Sequence, residues 1–465
     1  MKKKYYGEQT QKAIKNFPFD VPGWHKEFIV ALAQIKKAAA MANFEAGNFS
    51  RNIKNAIVAA ADEIIAGKHK DQFPLPALMG GAGTSIHMNV NEVIANIANK
   101  ILGKNSPRPP LLKRGGVGPV VHPNDHVNRS QSTNDVNPSA IKVAAVPMLE
   151  SLLAVLGNLA EAFEKKSNQF KNILKLARTH LQDAVPITLG GEFGGYAEVI
   201  RQHRKEIERV KSLALVLHLG GTAAGNSLNA SPKYISSVYK HLNKIIRLGS
   251  TVDLAESRRA GQKFVAGKNL IPLTSSAGYF VIISQAITAL CLDCSKIASD
   301  LRLMSSGPRG GLGEITLAEL QNGSSIMPGK VNPILPETVN VLYYTVSGNN
   351  LTIEHAAHGA QLNLAVMIPP IADRLLQSIK ITAQVLDVFA KRCIVTIKAN
   401  PKRCRELLEK STAYATMLTP KFGYEKMKEI VKETLASGKT LREVIISKKL
   451  LTNKEFDNLV KSYRP

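Results

Sequence analysis

Apolar positions recur at helical spacing from Phe28 to Ala42 and again from Ile53 to Ala66, and Gly67 ends the second run. Longer runs follow over Ala140–Lys166, Glu192–His218, Tyr234–Leu248, Tyr279–Met304, Glu337–Ala357 and Ile371–Lys391. In the last run Leu375, Ile379, Ala383, Leu386 and Ala390 mark one apolar stripe. Helices of this length need several neighbours to cover them, which predicts a bundle. No alternation of strands and helices is visible, so a Rossmann-type sheet is disfavoured. Residues 1 to 25 are turn-rich and predict an extended arm. Ala399-Asn400-Pro401 breaks the long-helix pattern, and shorter helices are expected over Glu406–Met417 and Tyr424–Ser437, followed by a basic, compact end. The fold class expected is all-α, with parts at 1-137 (N-terminal helical), 138-395 (central long helices) and 396-465 (small C-terminal helical).

Between these runs lie polar stretches with chemistry in them. Gly323-Ser324-Ser325-Ile326-Met327-Pro328-Gly329-Lys330-Val331-Asn332-Pro333 has glycine swing points, stiff prolines, paired hydroxyls, a cation and an amide, as a loop closing over a small anion needs. Gly80 to Ser85 is a glycine-rich turn leading into a helix, either an anion cradle or a plain cap, and it lacks the ending of a phosphate loop. Ser132-Thr133-Asn134 stands just before the helix expected near Pro138, where capping alone would account for it. His122 and His126, with Asp125 between them, have no further ligands arranged around them, so no metal is assigned. Arg178-Thr179-His180 carries a lone histidine beside a hydroxyl. Gly220 to Gly225 reads as an architectural bend. Residues 103 to 120, rich in proline, glycine and basic residues, read as a surface loop.

Composition narrows the classes. The 465 residues carry 61 Lys and Arg against 36 Asp and Glu, a formal charge of +25. That excess suits an anionic partner, nucleic acid or acidic metabolite. The basic residues are scattered and aromatics amount to 6%, so base-stacking surfaces and nucleic-acid binding are disfavoured. The charge is read mainly as a solvated surface, with a positive funnel for a dicarboxylate. Four cysteines do not make a disulfide framework, and Cys291 and Cys294 sit in an apolar helical run as core thiols. A reducing, cytoplasmic setting is expected. The apolar run near Tyr279 to Leu292 is read as too short for a bilayer, and no signal peptide is recognised.

Four blocks in order, Gly81–Asn91, His122–Asp135, Arg178–Pro186 and Gly323–Pro333, resemble the signatures of the fumarase/aspartase superfamily, and the likeness extends over nearly the whole chain. The resemblance implies a homotetramer with a core of long helices and active sites each built from three subunits. It implies elimination of a group next to a carboxylate, releasing fumarate, with no metal and no cofactor. Carried over residue by residue, it makes Ser324 the base, His180 the histidine near the leaving group and Glu337 its carboxylate partner. Thr84, Ser132, Thr133, Asn134 and Ser325 would receive the carboxylate that takes up charge, and Thr179, Lys330 and Asn332 the other one. Gly81 to Ser85, Thr133, Gln321-Asn322 and Ile334 to Glu337 resemble the ammonia-eliminating aspartase branch. Thr440 to Glu443 and Glu455 to Asp457 resemble fumarase tails. The aspartase branch is therefore favoured, with hydration of fumarate as the alternative and a non-catalytic homologue as the remote one. Argininosuccinate and adenylosuccinate lyases fit less well. Asn226-Ser227, residues 256 to 278 and the loop at 103 to 120 depart from the pattern.

Overall fold

The structure is a computed structural model that describes residues 4–103, 121–246 and 263–462. Most of loop 103–120, and residues 256–262 of the stretch 256–278, lie outside the described residues. In chain order the helices are α1 (Glu8–Asn16), α2 (Lys26–Glu45), α3 (Arg51–Ile65), α4 (Thr84–Ile101), α5 (Thr133–Phe170), α6 (Leu189–Ala214), α7 (Pro232–Ile246), α8 (Leu270–Ser275), α9 (Gly278–Met304), α10 (Ile334–His358), α11 (Ile368–Val388), α12 (Pro401–Lys410), α13 (Tyr414–Phe422), α14 (Tyr424–Ser437), α15 (Leu441–Ser447) and α16 (Asn453–Ser462). A hairpin, β1 (Leu174–Thr179) and β2 (Gln182–Thr188), separates α5 from α6. The all-α class and the long helices agree with the hydrophobic pattern.

The chain divides into two compact units. The first comprises Met1–Leu153, Lys205–Ala289 and Tyr344–Thr382, and the second Ala154–Arg204, Leu290–Tyr343 and Ala383–Pro465. In the first, α2 packs on α3 and α7, and α3 and α1 pack on α4. Phe28, Leu32, Ile57, Ile94 and Leu242 are wholly buried there. In the second, Phe163, Phe170, Phe193 and Tyr196 form a knot of tilted and edge-on rings. A separate core of Leu408, Leu418, Leu441, Ile445 and Phe456 holds α12 to α16 together.

Several local expectations change. The arm is not wholly extended, because Glu8–Asn16 is helical. Its cap comes from Glu92, whose carboxylate accepts from the amides of Gly7, Gln9 and Thr10 and from the Thr10 hydroxyl. A carboxylate at a helix start satisfies orphan amides and favours the dipole. The helix expected near Pro138 begins at Thr133. Proline inside a helix strands the carbonyl four residues earlier, and here His218 Nε2 donates to that carbonyl, on Asn134, at 3.2 Å. The single helix expected over Glu406–Met417 is two, α12 and α13, parted at Ser411, whose hydroxyl donates to Leu408 O and accepts from the Ala413 amide. The apolar run at Tyr279 is longer than expected. By length and composition α5 and α9 could each cross a bilayer, but 61% and 56% of those windows are buried inside the fold, which accounts for their apolarity. Among the lysines, Lys36, Lys142 and Lys175 are buried.

Candidate functional site

The first unit places Thr84, Ser132, Thr133 and Asn134 on two adjoining helix starts. Thr84 is the first residue of α4, after a turn in which Ala82 and Gly83 adopt left-handed φ of 54° and 78°. Asn137 on α5 donates through Nδ2 to the carbonyls of Ala82 and Gly83, both at 3.0 Å. A Cβ at Gly83 would lie 2.6 Å from that nitrogen, so only glycine allows both the φ and the approach. This clamp sets Thr84 beside the α5 start.

Ser132 caps α5. Its hydroxyl accepts from the Asn134 amide at 3.3 Å, and its own amide donates to Asp135 Oδ1 at 2.9 Å. The Asp135 carboxylate reaching back to the Ser132 amide is the return half of a capping box, with aspartate in the third position. Asp135 is wholly buried, and its Oδ2 accepts from the amides of Gly220 at 2.9 Å and Thr222 at 3.1 Å. Asn134 Nδ2 donates to Ala223 O at 2.8 Å. The Gly220 to Gly225 bend therefore wraps the segment that carries the candidate hydroxyls. Burial raises the Asp135 carboxyl to about 6, against three backbone amides and Lys36, which hold it down. His218 is pushed down to about 3 by burial and by Lys142, so its ring is neutral. Asp135, Asn137 and His218 were not singled out from the sequence, where they pass for ordinary polar residues next to Ser132-Thr133-Asn134.

In the second unit Thr179 ends β1, and His180 and Leu181 form the hairpin tip with left-handed φ of 54° and 60°. Two consecutive positive φ values are the signature of a two-residue hairpin turn that normally selects Asn and Gly. Finding histidine and leucine there marks stored strain, which concentrates at functional sites. Leu181 is 72% exposed. A register shift between Leu176 and Arg178 bends the ladder below the tip. The hairpin stem is anchored by ion pairs. Glu314, wholly buried, meets Lys175 at 3.0 Å and Arg178 at 2.9 Å, and Lys175 also meets Glu192 at 2.7 Å. Burial pulls the Lys175 ammonium down, but Glu192 and Glu314 together hold it above its ordinary value.

The loop from Gly323 to Pro333 is closed on itself. Asn332 Nδ2 donates to Gly323 O at 2.7 Å. A Cβ at Gly323 would lie 2.0 Å from the Lys330 carbonyl, so glycine is required for the closure. Inside the loop Ser324 Oγ accepts from two backbone amides, Ile326 at 3.2 Å and Met327 at 3.1 Å. Ser325 and Lys330 are exposed on it, as is Ile326 at 83%. Glu337 lies in the first turn of α10, 3.8 Å from Arg302. Among the described residues no ion pair joins Glu337 to His180. His122 and His126 are absorbed by their own turn: the Asp125 amide donates to His122 Nδ1 and the His122 amide to His126 Nδ1. Among the described residues no group of three or more His, Cys, Asp or Glu is placed to hold a metal ion.

Two amide donors aimed at one hydroxyl oxygen are what a serine needs to carry negative charge. The hydroxyls and amides at the α4 and α5 starts are short, uncharged donors suited to a carboxylate.

Known proteins resemble this chain over nearly its whole length. The family described as Lyase matches residues 1–348 and that described as Fumarase C C-terminus matches 415–464. The aspartate ammonia-lyase of Helicobacter pylori is 41% identical over 98% of this chain and 93% of its own length. That of Bacillus subtilis is 41% identical over 99% and 92%. The crystal structure of a class II fumarase from Schistosoma mansoni superposes with a TM-score of 0.90 at 33% identity, covering 99% of this chain and 95% of its own. By sequence and fold, the chain belongs to the fumarase/aspartase superfamily of lyases.

Proposed function

We propose that this protein is an aspartate ammonia-lyase, a carbon–nitrogen lyase that converts L-aspartate reversibly to fumarate and ammonia. The observation that carries the reading is the full-length similarity to enzymes of that name, greater than that to the class II fumarase. Fumarate hydration is the second reading, favoured only by the fumarase-like C-terminal segment.

Ser324, as alkoxide, takes the proton from carbon 3 of L-aspartate; its negative charge is held by the Ile326 and Met327 amides and by Lys330. The electron pair of the broken C–H bond moves into the neighbouring carboxylate, giving a doubly charged aci-carboxylate. Thr84, Ser132, Thr133, Asn134 and Ser325 donate to it, stabilising charge where it develops. The pair then returns to form the C2–C3 double bond as the C2–N bond breaks on the opposite face. The ammonium departs as neutral ammonia. Thr179, Lys330 and Asn332 hold the second carboxylate. His180 stands at the leaving group, oriented in the assembly by Glu337.

The donors at the α4 and α5 starts and those on the hairpin and the serine loop belong to different compact units. We propose that they meet in a homotetramer, with three subunits shaping each site. Exposed apolar side chains on the long helices support this: Leu292 on α9 and Val341 and Leu351 on α10 are 47%, 57% and 54% exposed in the single chain. We propose three domains, 1-137, 138-395 and 396-465. The four cysteines are buried free thiols, which supports a reducing cytoplasmic setting. The test compares L-aspartate with L-malate, following the conjugated double bond of fumarate. Fumarate from L-aspartate alone supports the reading, and fumarate from L-malate alone would replace it with the hydratase.

A further inference from the structure

The buried face of the α5 start carries a relay that the elimination chemistry above does not use. Lys36 on α2 is wholly buried, and its Nζ has three partners: His87 Nε2 at 2.5 Å, Asn128 Oδ1 at 2.9 Å and Gln131 Oε1 at 3.0 Å. His87 on α4 is 1% exposed, and its Nδ1 lies 2.8 Å from the hydroxyl of Thr133. The two amides are oriented by their own NH₂ groups. Gln131 Nε2 donates to Val127 O and Arg129 O, and Asn128 Nδ2 donates to Gln131 O. Their oxygens therefore face Lys36.

An ammonium has three N–H donors and no lone pair. With Asn128 and Gln131 accepting two of them, the third goes to His87 Nε2, which must then be the bare nitrogen. The ring proton is left on Nδ1 and donates to Thr133 Oγ. A hydroxyl that accepts at its oxygen from the protein keeps its own hydrogen for something else. We infer that His87 is a positioning residue, which, held in one tautomer by the Lys36 ammonium, turns the Thr133 hydroxyl into an obligatory proton donor toward the substrate carboxylate. The inference rests on the reading of Thr133 as a substrate contact.

Burial pulls the Lys36 ammonium well below its ordinary value, and the buried carboxylate of Asp135 opposes that shift. Burial, and then Lys36, hold His87 well below the ordinary histidine value, so the ring stays neutral and tautomer selection is all that Lys36 can impose. Were Lys36 a neutral amine, its lone pair would accept from Nε2–H. The bare Nδ1 would then draw the Thr133 hydrogen inward, away from any carboxylate.

Two substitutions separate this role from simple packing. His87→Gln places an amide oxygen where Nε2 was, keeps a partner for Lys36, and leaves nothing to hold Thr133. His87→Asn keeps an amide N–H where Nδ1 was and leaves Lys36 short of one acceptor. The expected result is a crossing. His87→Gln retains the wild-type melting temperature and loses about tenfold in kcat/KM for L-aspartate, one hydrogen bond's worth. His87→Asn melts lower but keeps kcat/KM. In a Thr133→Val background His87→Gln causes no further loss, because the partner is already gone. Activity that falls in both variants in step with the melting temperature would overturn the inference, as would full additivity with Thr133→Val. If Thr133→Val itself leaves kcat/KM unchanged, the reading of Thr133 as a substrate contact fails, and the inference with it.

Discussion

The hydroxyl oxygen of Ser324 accepts a hydrogen bond from the backbone amide of Met327 at 3.1 Å, and a second arrives from Ile326 at 3.2 Å. A free serine is far too weak an acid to serve as a base at neutral pH. Two fixed donors at its oxygen favour the alkoxide, and backbone donors cost no reorganisation when the charge appears. Ile326→Pro removes one of them while leaving the side chain of Ser324 intact. The expected result is a fall in kcat on the order of 10²-fold, the usual cost of one oxyanion donor, with the circular dichroism spectrum unchanged. Wild-type turnover in Ile326→Pro would show that this amide does not act on the base.

Glu314 is wholly buried between Lys175 and Arg178, and these three residues hold the stem beneath Thr179 and His180. Glu314→Ala leaves Arg178 without its carboxylate and Lys175 with Glu192 alone, beside a buried place. Breaking such a pair costs roughly 3–5 kcal/mol. Chemical unfolding monitored by circular dichroism measures it. A cost below about 1 kcal/mol, the range of exposed pairs, would mean that the network does not anchor the hairpin.

Asp135 makes stability depend on pH with a definite sign. The unfolded carboxyl titrates near 3.8, and burial raises the folded one to about 6. Between these values the folded chain holds the extra proton. The contribution of this group therefore favours folding most at the acid end and is lost as the pH rises from about 4 to about 6. In Asp135→Asn the titration is gone. The melting temperature of the wild type relative to this variant is expected to fall across that window and to level off above it. A difference that rises or stays constant contradicts the assignment.

The long helices were legible because apolar residues repeat at their period and little else competes. The serine loop was legible because Ser324, Lys330 and Asn332 share one short glycine-bounded stretch. Other features left weaker traces. The cap on α1 belongs to Glu92, more than eighty residues from the amides it serves, so the start of that helix has no local signal. The early start of α5 depends on His218 accepting the role that Pro138 vacates. The hairpin at His180 breaks the usual turn chemistry, with histidine and leucine where asparagine and glycine would announce it. Lys36 stands beside Lys37 in the sequence and reads as one more surface cation. Only the packed structure shows it wholly buried against His87, Asn128 and Gln131.

The most direct measurement is fumarate release from L-aspartate by Ser324→Ala, set beside the wild type and with assembly followed by light scattering. Removing the one group that accepts the carbon-bound proton is expected to abolish turnover, a loss of at least about 10³-fold, in a protein of unchanged mass and melting temperature. Turnover within a few-fold of the wild type would contradict the assignment of the base, and with it the account of how this loop, cradling one oxygen with two amides, performs the elimination.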